Sequence, residues 1–239
     1  MEFTRRPIPS DLTINLNGTP LRKVTEQRHL GLTLSSDLRW TAHTEKVLSK
    51  AARLLHTLRR LRNSLSRKAL LLYYRLYIRP VIEYASIAWP KLPAHLRDRL
   101  ERLQRRAIKT TLKLPLFEQS DHDHLLISTN LASLQSRRLY QSALVGFHMA
   151  RETAPQHLQE VSYARANTDH SLRQNHFFHL PKANSTLLQF SPLYFATHTF
   201  NNLPKHLQTL TKLSDFKKIA QQHLLSPSCP CSLHNSSHT

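Results

Sequence analysis

The sequence contains very little glycine and cysteine. Only three of its 239 residues are glycine, against thirteen prolines, which favours helices with abrupt ends over a glycine-rich all-β fold. The two cysteines, Cys229 and Cys231, lie within the last eleven residues. No disulfide can therefore cross-link the body of the chain, and this is typical of a reducing compartment, with the cytosol or nucleus as the default.

Long hydrophobic runs are also missing. No apolar stretch is long enough to span a bilayer, so we expect no transmembrane segment. The first residues, MEFTRRPIPSD, contain no hydrophobic signal region. Apolar residues still make up 40% of the chain, and this amount can form the core of one large or two small domains.

Acidic residues are scarce relative to basic ones. The chain has 34 lysines and arginines against 15 aspartates and glutamates, which gives a net charge of +19. Such an excess predicts a polyanionic partner, with nucleic acid as the first choice and an anionic membrane surface as the second.

The pattern along the chain predicts a mainly α protein with four parts. They are a small N-terminal antiparallel β meander in residues 1–40, a basic three-helix domain in 41–115, a helical region with a long loop in 116–225, and a disordered tail in 226–239. In the meander, Asn17-Gly18 is the favoured pair for a two-residue hairpin turn, because both positions need a positive φ. Pro20 confines the return strand to an edge, and RHLGLTL (28–34) is predicted as a third strand.

Two amphipathic helices flank a central apolar one. Three- and four-residue spacing of apolar residues predicts helices over about 40–62 and 93–114, with Leu96, Leu100, Leu103 and Ala107 as the buried stripe of the latter. The segment 66–89 is apolar nearly all round, which predicts a buried central helix. Ser66 is its expected N-cap, and Pro80 is expected to kink or break it.

The remaining segments are less regular. We predict a loop over 115–129, a helix over about 132–151 with Arg137-Arg138 on its polar side, a long loop over 154–182, and a last helix from Pro204 to about Leu225. Trp40 and Trp89 fall in apolar periodic segments, so core packing is favoured over base stacking for both.

Cations crowd two of these helices beyond what helix-end capping requires. Their faces are predicted to lie along a phosphate backbone. The candidate nucleic-acid contacts are Arg53, Arg59, Arg60, Arg62, Arg67, Lys68, Arg102, Arg105, Arg106 and Lys109.

Two clusters contain metal-ligand residue types. Asp121-His122-Asp123-His124 alternates carboxylates and imidazoles, but no second cluster completes a site, and a solvated loop is the favoured interpretation. Cys229, Cys231, His234 and His238 are zinc-type ligands. One residue separates the cysteines where two to four are usual, so a disordered tail is favoured over a zinc knuckle. We expect no cofactor, no metal site, no small-molecule substrate and no catalytic residue.

Several motifs, in order, resemble the C-terminal part of jockey-type non-LTR retrotransposon reverse transcriptases. His29-Leu30-Gly31 stands where that family has the Tyr-Leu-Gly of its primer grip, at the end of the palm. Arg79-Pro80 through Glu83-Tyr84 to Trp89 matches the signature of its helical thumb. Further matches are LQSRR (134–138), FNNLP (200–204) and LSDFK (213–217), so that the resemblance extends over about residues 12–225.

The resemblance implies a thumb-like helical domain that holds template–primer duplex, and it also implies what is missing. Polymerases of this family use an adjacent aspartate pair and a third aspartate to bind two divalent ions. No two acidic residues are adjacent in this chain. We therefore expect a truncated fragment that binds nucleic acid and gives no primer extension with template and Mg²⁺. Two alternatives stay open: a non-functional relic of a 5′-truncated element, or a basic helical module that binds anionic membrane.

Overall fold

The computed structural model describes residues 14–115, 121–160, 177–182 and 186–226. The protein is mainly helical, with two small antiparallel sheets near the N-terminus and a C-terminal helical region, which confirms the predicted fold class. The helices are α1 Thr41–Arg60, α2 Arg67–Tyr73, α3 Arg79–Glu83, α4 Ala94–Leu112, α5 His122–Thr129, α6 Leu134–Ala150, α7 Gln156–Glu160, α8 Thr186–Gln189, α9 Pro192–Asn201, α10 Lys205–Gln208 and α11 Leu213–Leu224. In these ranges no helix combines the length and apolarity needed to cross a membrane.

The first hairpin pairs β1 (Asn15–Leu16) with β2 (Thr19–Pro20). Its turn is Asn17-Gly18, with φ of 50° and 78°, as predicted for a two-residue turn. All residues of both strands are exposed.

The second hairpin corrects the prediction of one strand over 28–34. β3 (Glu26–His29) and β4 (Leu32–Ser35) pair antiparallel, and Leu30 and Gly31 form the turn between them with φ of 45° and 83°. The alternating leucines predicted one continuous strand. A leucine rarely adopts a positive φ, so nothing in the sequence predicted a turn at Leu30. The meander is therefore two separate hairpins.

The central helix begins as predicted, since the Ser66 hydroxyl accepts a hydrogen bond from the Ala69 N–H at 3.3 Å. Leu70, Tyr74, Ile78 and Ile82 have no exposed surface. Of the kink or break predicted at Pro80, the break does not occur: α2 continues through a π-helical stretch, Tyr74–Ile78, directly into α3. The wider π turn accommodates a proline that has no N–H to donate.

The opposite side of this helix corrects a second prediction. Leu72, Leu76 and Tyr77 are 54%, 59% and 55% exposed, so the helix is buried along one stripe and not all round. An apolar composition on all sides did not distinguish the packed side from the free one.

α1 and α4 complete the first core around the central helix. The stripe of Leu96, Leu100, Leu103 and Ala107 is buried as predicted, and Trp89 has no exposed surface. The same cluster includes Leu125 and Leu126 of α5, a segment predicted as loop. That prediction is wrong because Asp121 caps a helix, accepting from the Asp123 N–H, and the two leucines provide the apolar contact that holds it.

The second core lies between α6, α9 and α11. Phe147, Phe200 and Phe216 are buried there, with the Phe147 and Phe216 ring centroids 4.4 Å apart. Gly146 is required at the crossing of α6 and α9, because a Cβ at this position would lie 2.6 Å from the Phe200 Cβ.

The predicted single helix from Pro204 to about Leu225 is in fact two helices, α10 and α11. The break is held by Arg151, whose guanidinium donates to the carbonyls of Gln208 and Leu210 at 2.6 Å. In the predicted 154–182 loop, Gln156–Glu160 is helical and Phe178 is buried in the second core. Residues 161–176 lie outside the described ranges, as does the predicted tail beyond residue 226.

α6 belongs to both cores. Leu134 at its start packs in the first core, and Ala143 and Phe147 pack in the second. Arg138, predicted on the polar side, is buried: it donates to the Trp89 carbonyl at 2.9 Å and its guanidinium lies 4.0 Å from the centroid of the Trp89 ring. Arg137 forms a paired contact with the Glu83 carboxylate. α6 thus joins the two halves of the molecule, the N-terminal half around the first core and the C-terminal half around the second core. Arg137 and Arg138 hold its start against the first core.

We expect Arg138→Lys to lower the free energy of unfolding by about 1.5–3 kcal/mol. Lysine cannot replace the planar guanidinium that both stacks on Trp89 and reaches two carbonyls, those of Trp89 and Ile82. Urea denaturation of the whole chain measures the effect. Arg59→Lys, at an exposed position on α1, is the matched control and should be neutral; equal stability of the two variants would contradict this role.

We also expect stability to fall as the pH drops below about 6.5, the ordinary pKa of histidine. His43 is buried and its Nδ1 accepts from the Thr33 N–H at 3.3 Å. Burial, with Arg138 and Lys46 nearby, lowers the pKa of His43. Because the unfolded chain binds the proton more readily, His43 favours folding above pH 6.5 and loses this contribution as the pH falls towards its folded pKa.

The measurement is the melting temperature between pH 7.5 and 5 for the wild-type chain and for His43→Asn, which keeps an acceptor near Nδ1. The variant should show a weaker pH dependence. His56→Asn, at an exposed position on the same helix, should follow the wild type, and identical profiles for all three proteins would refute the assignment.

Candidate nucleic-acid interface

A groove of about 280 Å³ runs between α1 and α4. The two helices point the same way, since Glu45 near the start of α1 pairs with Arg99 and Arg62 beyond its end reaches the Lys113 carbonyl after α4. The α1 side of the groove is lined by Glu45, Leu48, Ser49, Ala52 and Leu55, and the α4 side by Arg99, Leu103 and Arg106. Small and apolar side chains thus form its floor, with cations on the α4 rim.

Most of the predicted contact residues are exposed on α1, α2 and α4. The exposed set is Arg53, Arg59, Arg60, Arg67, Lys68, Arg102 and Arg106. Arg59 follows Leu55 by four residues, so the helical repeat places it on the groove side of α1. Arg53 and Arg60 are on the side of α1 opposite its buried stripe, and Arg67 and Lys68 form the first turn of α2.

Three predicted contacts are less accessible. Lys109 is buried at 7% exposure and Arg105 is half-buried. Arg62 donates to the Lys113 carbonyl at 2.7 Å and the Leu114 carbonyl at 3.3 Å, and so satisfies the C-terminal end of α4. The sequence showed their charge but not the packing of α4, whose buried face is wider than one stripe.

The exposed set carries little compensating acid. Among the described residues, none of its seven members forms an ion pair with a carboxylate. The nearby acidic residues are used by other cations: Glu45 pairs with Arg99, and Asp98 with Arg97. The charge of these seven cations is therefore not neutralised within the described part of the chain, whereas the rim residue Arg99 is paired with Glu45.

The primer-grip-like residues His29, Leu30 and Gly31 lie at the tip of the second hairpin. The Tyr84 hydroxyl donates to the Leu30 carbonyl at 2.9 Å. A Cβ on Gly31 would lie 3.1 Å from the Tyr84 ring. Tyr84 therefore fastens the hairpin tip to the end of the central helix, and the structure brings together two motifs that are more than fifty residues apart.

The Asp121–His124 segment does not gather metal ligands with other described residues. Asp121 and His122 begin α5, and the His122 Nε2 lies 3.4 Å from a Glu101 carboxylate oxygen. In the part of the chain that the structure describes, no three histidine, cysteine or acidic side chains are grouped as metal ligands. Cys229, Cys231, His234 and His238 fall outside the described residues.

Sequence reasoning missed the roles of Arg137 and Arg138. Arg138 follows the buried Leu134 by four residues, so its place on the apolar stripe of α6 was a usable signal. Arg75, Arg79 and Lys218, which line a second cleft, were also missed, because Lys218 is far in sequence from the (i, i+4) pair Arg75 and Arg79 and no local pattern connects it to them.

No model of a known protein family, no curated protein and no solved structure matches this chain.

We expect Gly31→Ala to loosen the second hairpin. The substitution places a Cβ at a φ of 83° and 3.1 Å from Tyr84, which costs about 1–2 kcal/mol for the left-handed backbone and also displaces the tyrosine. Amide hydrogen exchange should show lower protection in β3 and β4. The control is Gly18→Ala in the first hairpin, with a similar φ but no neighbour within 4 Å; if it lowers protection in β1 and β2 as much as Gly31→Ala lowers it in β3 and β4, the Tyr84 contact is unimportant.

Proposed function

We propose that this chain binds nucleic-acid duplex through the phosphate backbone, as the thumb and downstream helical region of a jockey-type reverse transcriptase without polymerase activity of its own. The observation that carries the proposal is the set of seven exposed cations on α1, α2 and α4, none of which is paired with a carboxylate among the described residues and one of which, Arg106, lines the groove. A surface of this kind favours phosphate contacts, which give affinity with little reading of sequence.

The arrangement of the groove supports a duplex as the ligand. Arg106 on the α4 rim and Arg59 on the groove side of α1 belong to two helices of about thirty ångströms each. Those helices are fixed by the first core and by the Arg62 contacts to the end of α4. A rigid, extended cationic surface suits the regular spacing of phosphates along a duplex.

The motifs at both ends of this region add a second line of support. The hairpin tip with His29, Leu30 and Gly31 is joined to the thumb-like signature by the Tyr84 hydrogen bond, which is the proximity expected if a primer grip adjoins a thumb. The absence of adjacent acidic residues from the sequence supports the proposal that this chain binds without catalysing nucleotide transfer.

A second candidate is an anionic membrane surface. Leu72, Leu76 and Tyr77 form an exposed apolar face on the same helix whose first turn carries Arg67 and Lys68. Apolar side chains next to cations are the combination by which peripheral helices bind acidic lipid. This candidate requires the apolar face, whereas the duplex candidate requires the groove rim.

We expect duplex binding to weaken steeply with salt, with a log–log slope of about −5 if about six phosphates are neutralised. Arg59→Gln/Arg106→Gln should make the slope less steep by about 1.8. Each cation that is removed leaves one phosphate unneutralised, so that binding releases about 0.9 fewer counterions from the duplex. Fluorescence anisotropy of a labelled duplex, titrated at several salt concentrations, provides the measurement.

The matched control is Lys205→Gln/Lys217→Gln, which removes two exposed cations from the C-terminal region and should retain the wild-type slope. A wild-type affinity that is independent of salt would rule out the duplex proposal. Leu72→Ser/Leu76→Ser with acidic vesicles tests the second candidate: it requires loss of vesicle binding in that variant with duplex binding retained.

A further inference from the structure

A second cleft, of about 600 Å³, lies between the central helix, the α5–α6 connection and α11. Its cationic lining residues are Arg75, Arg79, Arg137 and Lys218. Its volume is in the range of sites that hold nucleotide-sized ligands. None of the cations proposed to contact duplex belongs to it.

The cleft has a strong excess of positive charge. Among the described residues that line it none is acidic, and the nearest carboxylate partner of its cations is Glu83. That single carboxylate contacts both Arg137 and, at 3.9 Å, Arg79. Two of the four cations thus share one carboxylate, and burial, together with the positive charge of Arg137, lowers the pKa of Arg79. An anion in the cleft would relieve this repulsion.

The rest of the lining provides neutral donors on a fixed helix face. Lys218, Gln221 and Gln222 of α11, and Leu225 directly after it, recur at three- and four-residue steps and line the cleft. The opposite face of the same helix, with Phe216, Ala220 and Leu224, is buried in the second core. The polar face is therefore held in place by the packing of the apolar one.

The lining also indicates which part of a ligand is recognised. Among the described residues it includes guanidinium, ammonium and amide groups, and no aromatic ring. Guanidinium forks match the geometry of phosphate oxygens, whereas bases are commonly held by stacking on aromatic side chains. The groups present favour phosphate over base.

We propose that this cleft is a phosphate-binding site formed jointly by the two halves of the molecule, with Arg75 and Lys218 as its accessible cations. The phosphate belongs to a nucleic-acid strand or to a free phosphate compound, since both present the same oxygens. The site is independent of the duplex-binding surface, because it uses different side chains.

The test compares pyrophosphate, measured by isothermal titration calorimetry, with a labelled single-stranded oligonucleotide, measured by anisotropy. Arg75→Gln/Lys218→Gln should weaken pyrophosphate binding by about tenfold or more, since each charged contact contributes at least that factor. Lys205→Gln/Lys217→Gln, which changes the charge equally outside the cleft, should bind as the wild type does. Lys218→Gln alone keeps the Arg75 contact to the Thr129 carbonyl and repeats the test if the double variant is unstable.

The two sources of phosphate give different results. If a strand is bound, the double variant also lowers oligonucleotide affinity and makes its salt slope less steep by about 1.4. If only a free phosphate compound is bound, pyrophosphate binding alone is lost. Either result supports the site, and pyrophosphate binding equal to that of the control overturns it. Failure of Arg59→Gln/Arg106→Gln to change duplex binding would count against the proposed function and leave this site unaffected.

Discussion

The buried guanidinium of Arg138 is the contact on which the arrangement of the two halves depends. It stacks on the Trp89 ring and donates to two carbonyls, that of Ile82 near the end of the central helix and that of Trp89 in the loop that follows. Burial lowers its pKa to about 10, so it remains charged at neutral pH. A buried charge is tolerated only where carbonyls or rings replace water, and this requirement fixes α6 at one angle and one depth on the first core.

Further consequences follow along α6. The neighbouring Arg137 pairs with Glu83, which positions the end of the central helix next to the start of α6. Its other end crosses α9 at Gly146, where only a hydrogen fits against Phe200. The contact with Trp89 at one end of α6 therefore determines where the aromatic second core, at its other end, is positioned. The cleft beside α11 keeps its shape because this helix, which contributes Arg137 to it, is fixed at both ends.

Local signals were predictable from the sequence and long-range contacts were not. Asn17-Gly18, the Ser66 cap and the leucine stripe of α4 depend on neighbouring residues, and the structure contains all three. The turn at Leu30-Gly31 depends on Tyr84, and the helix after Asp121 depends on a core that its leucines reach only in the folded chain. For the candidate interface, charge identified the exposed arginines but not the burial of Lys109, since a cation on a helix has the same local pattern whichever way the helix packs.

The π-helical stretch at Tyr74–Ile78 allows buried residues that are spaced four apart to stay on one side of the central helix. Residues four apart in an α-helix drift by about 40° at each step, so Leu70, Tyr74, Ile78 and Ile82 would wind around a regular helix by about 120°. A wider turn removes much of that drift and holds all four against one partner surface. Compared with a regular α-helix, this helix therefore contains one extra residue. Deleting one residue here would rotate the rest of the helix by about 100°. Glu83 would then point away from α6, so the length of this one segment is as strictly constrained as its composition.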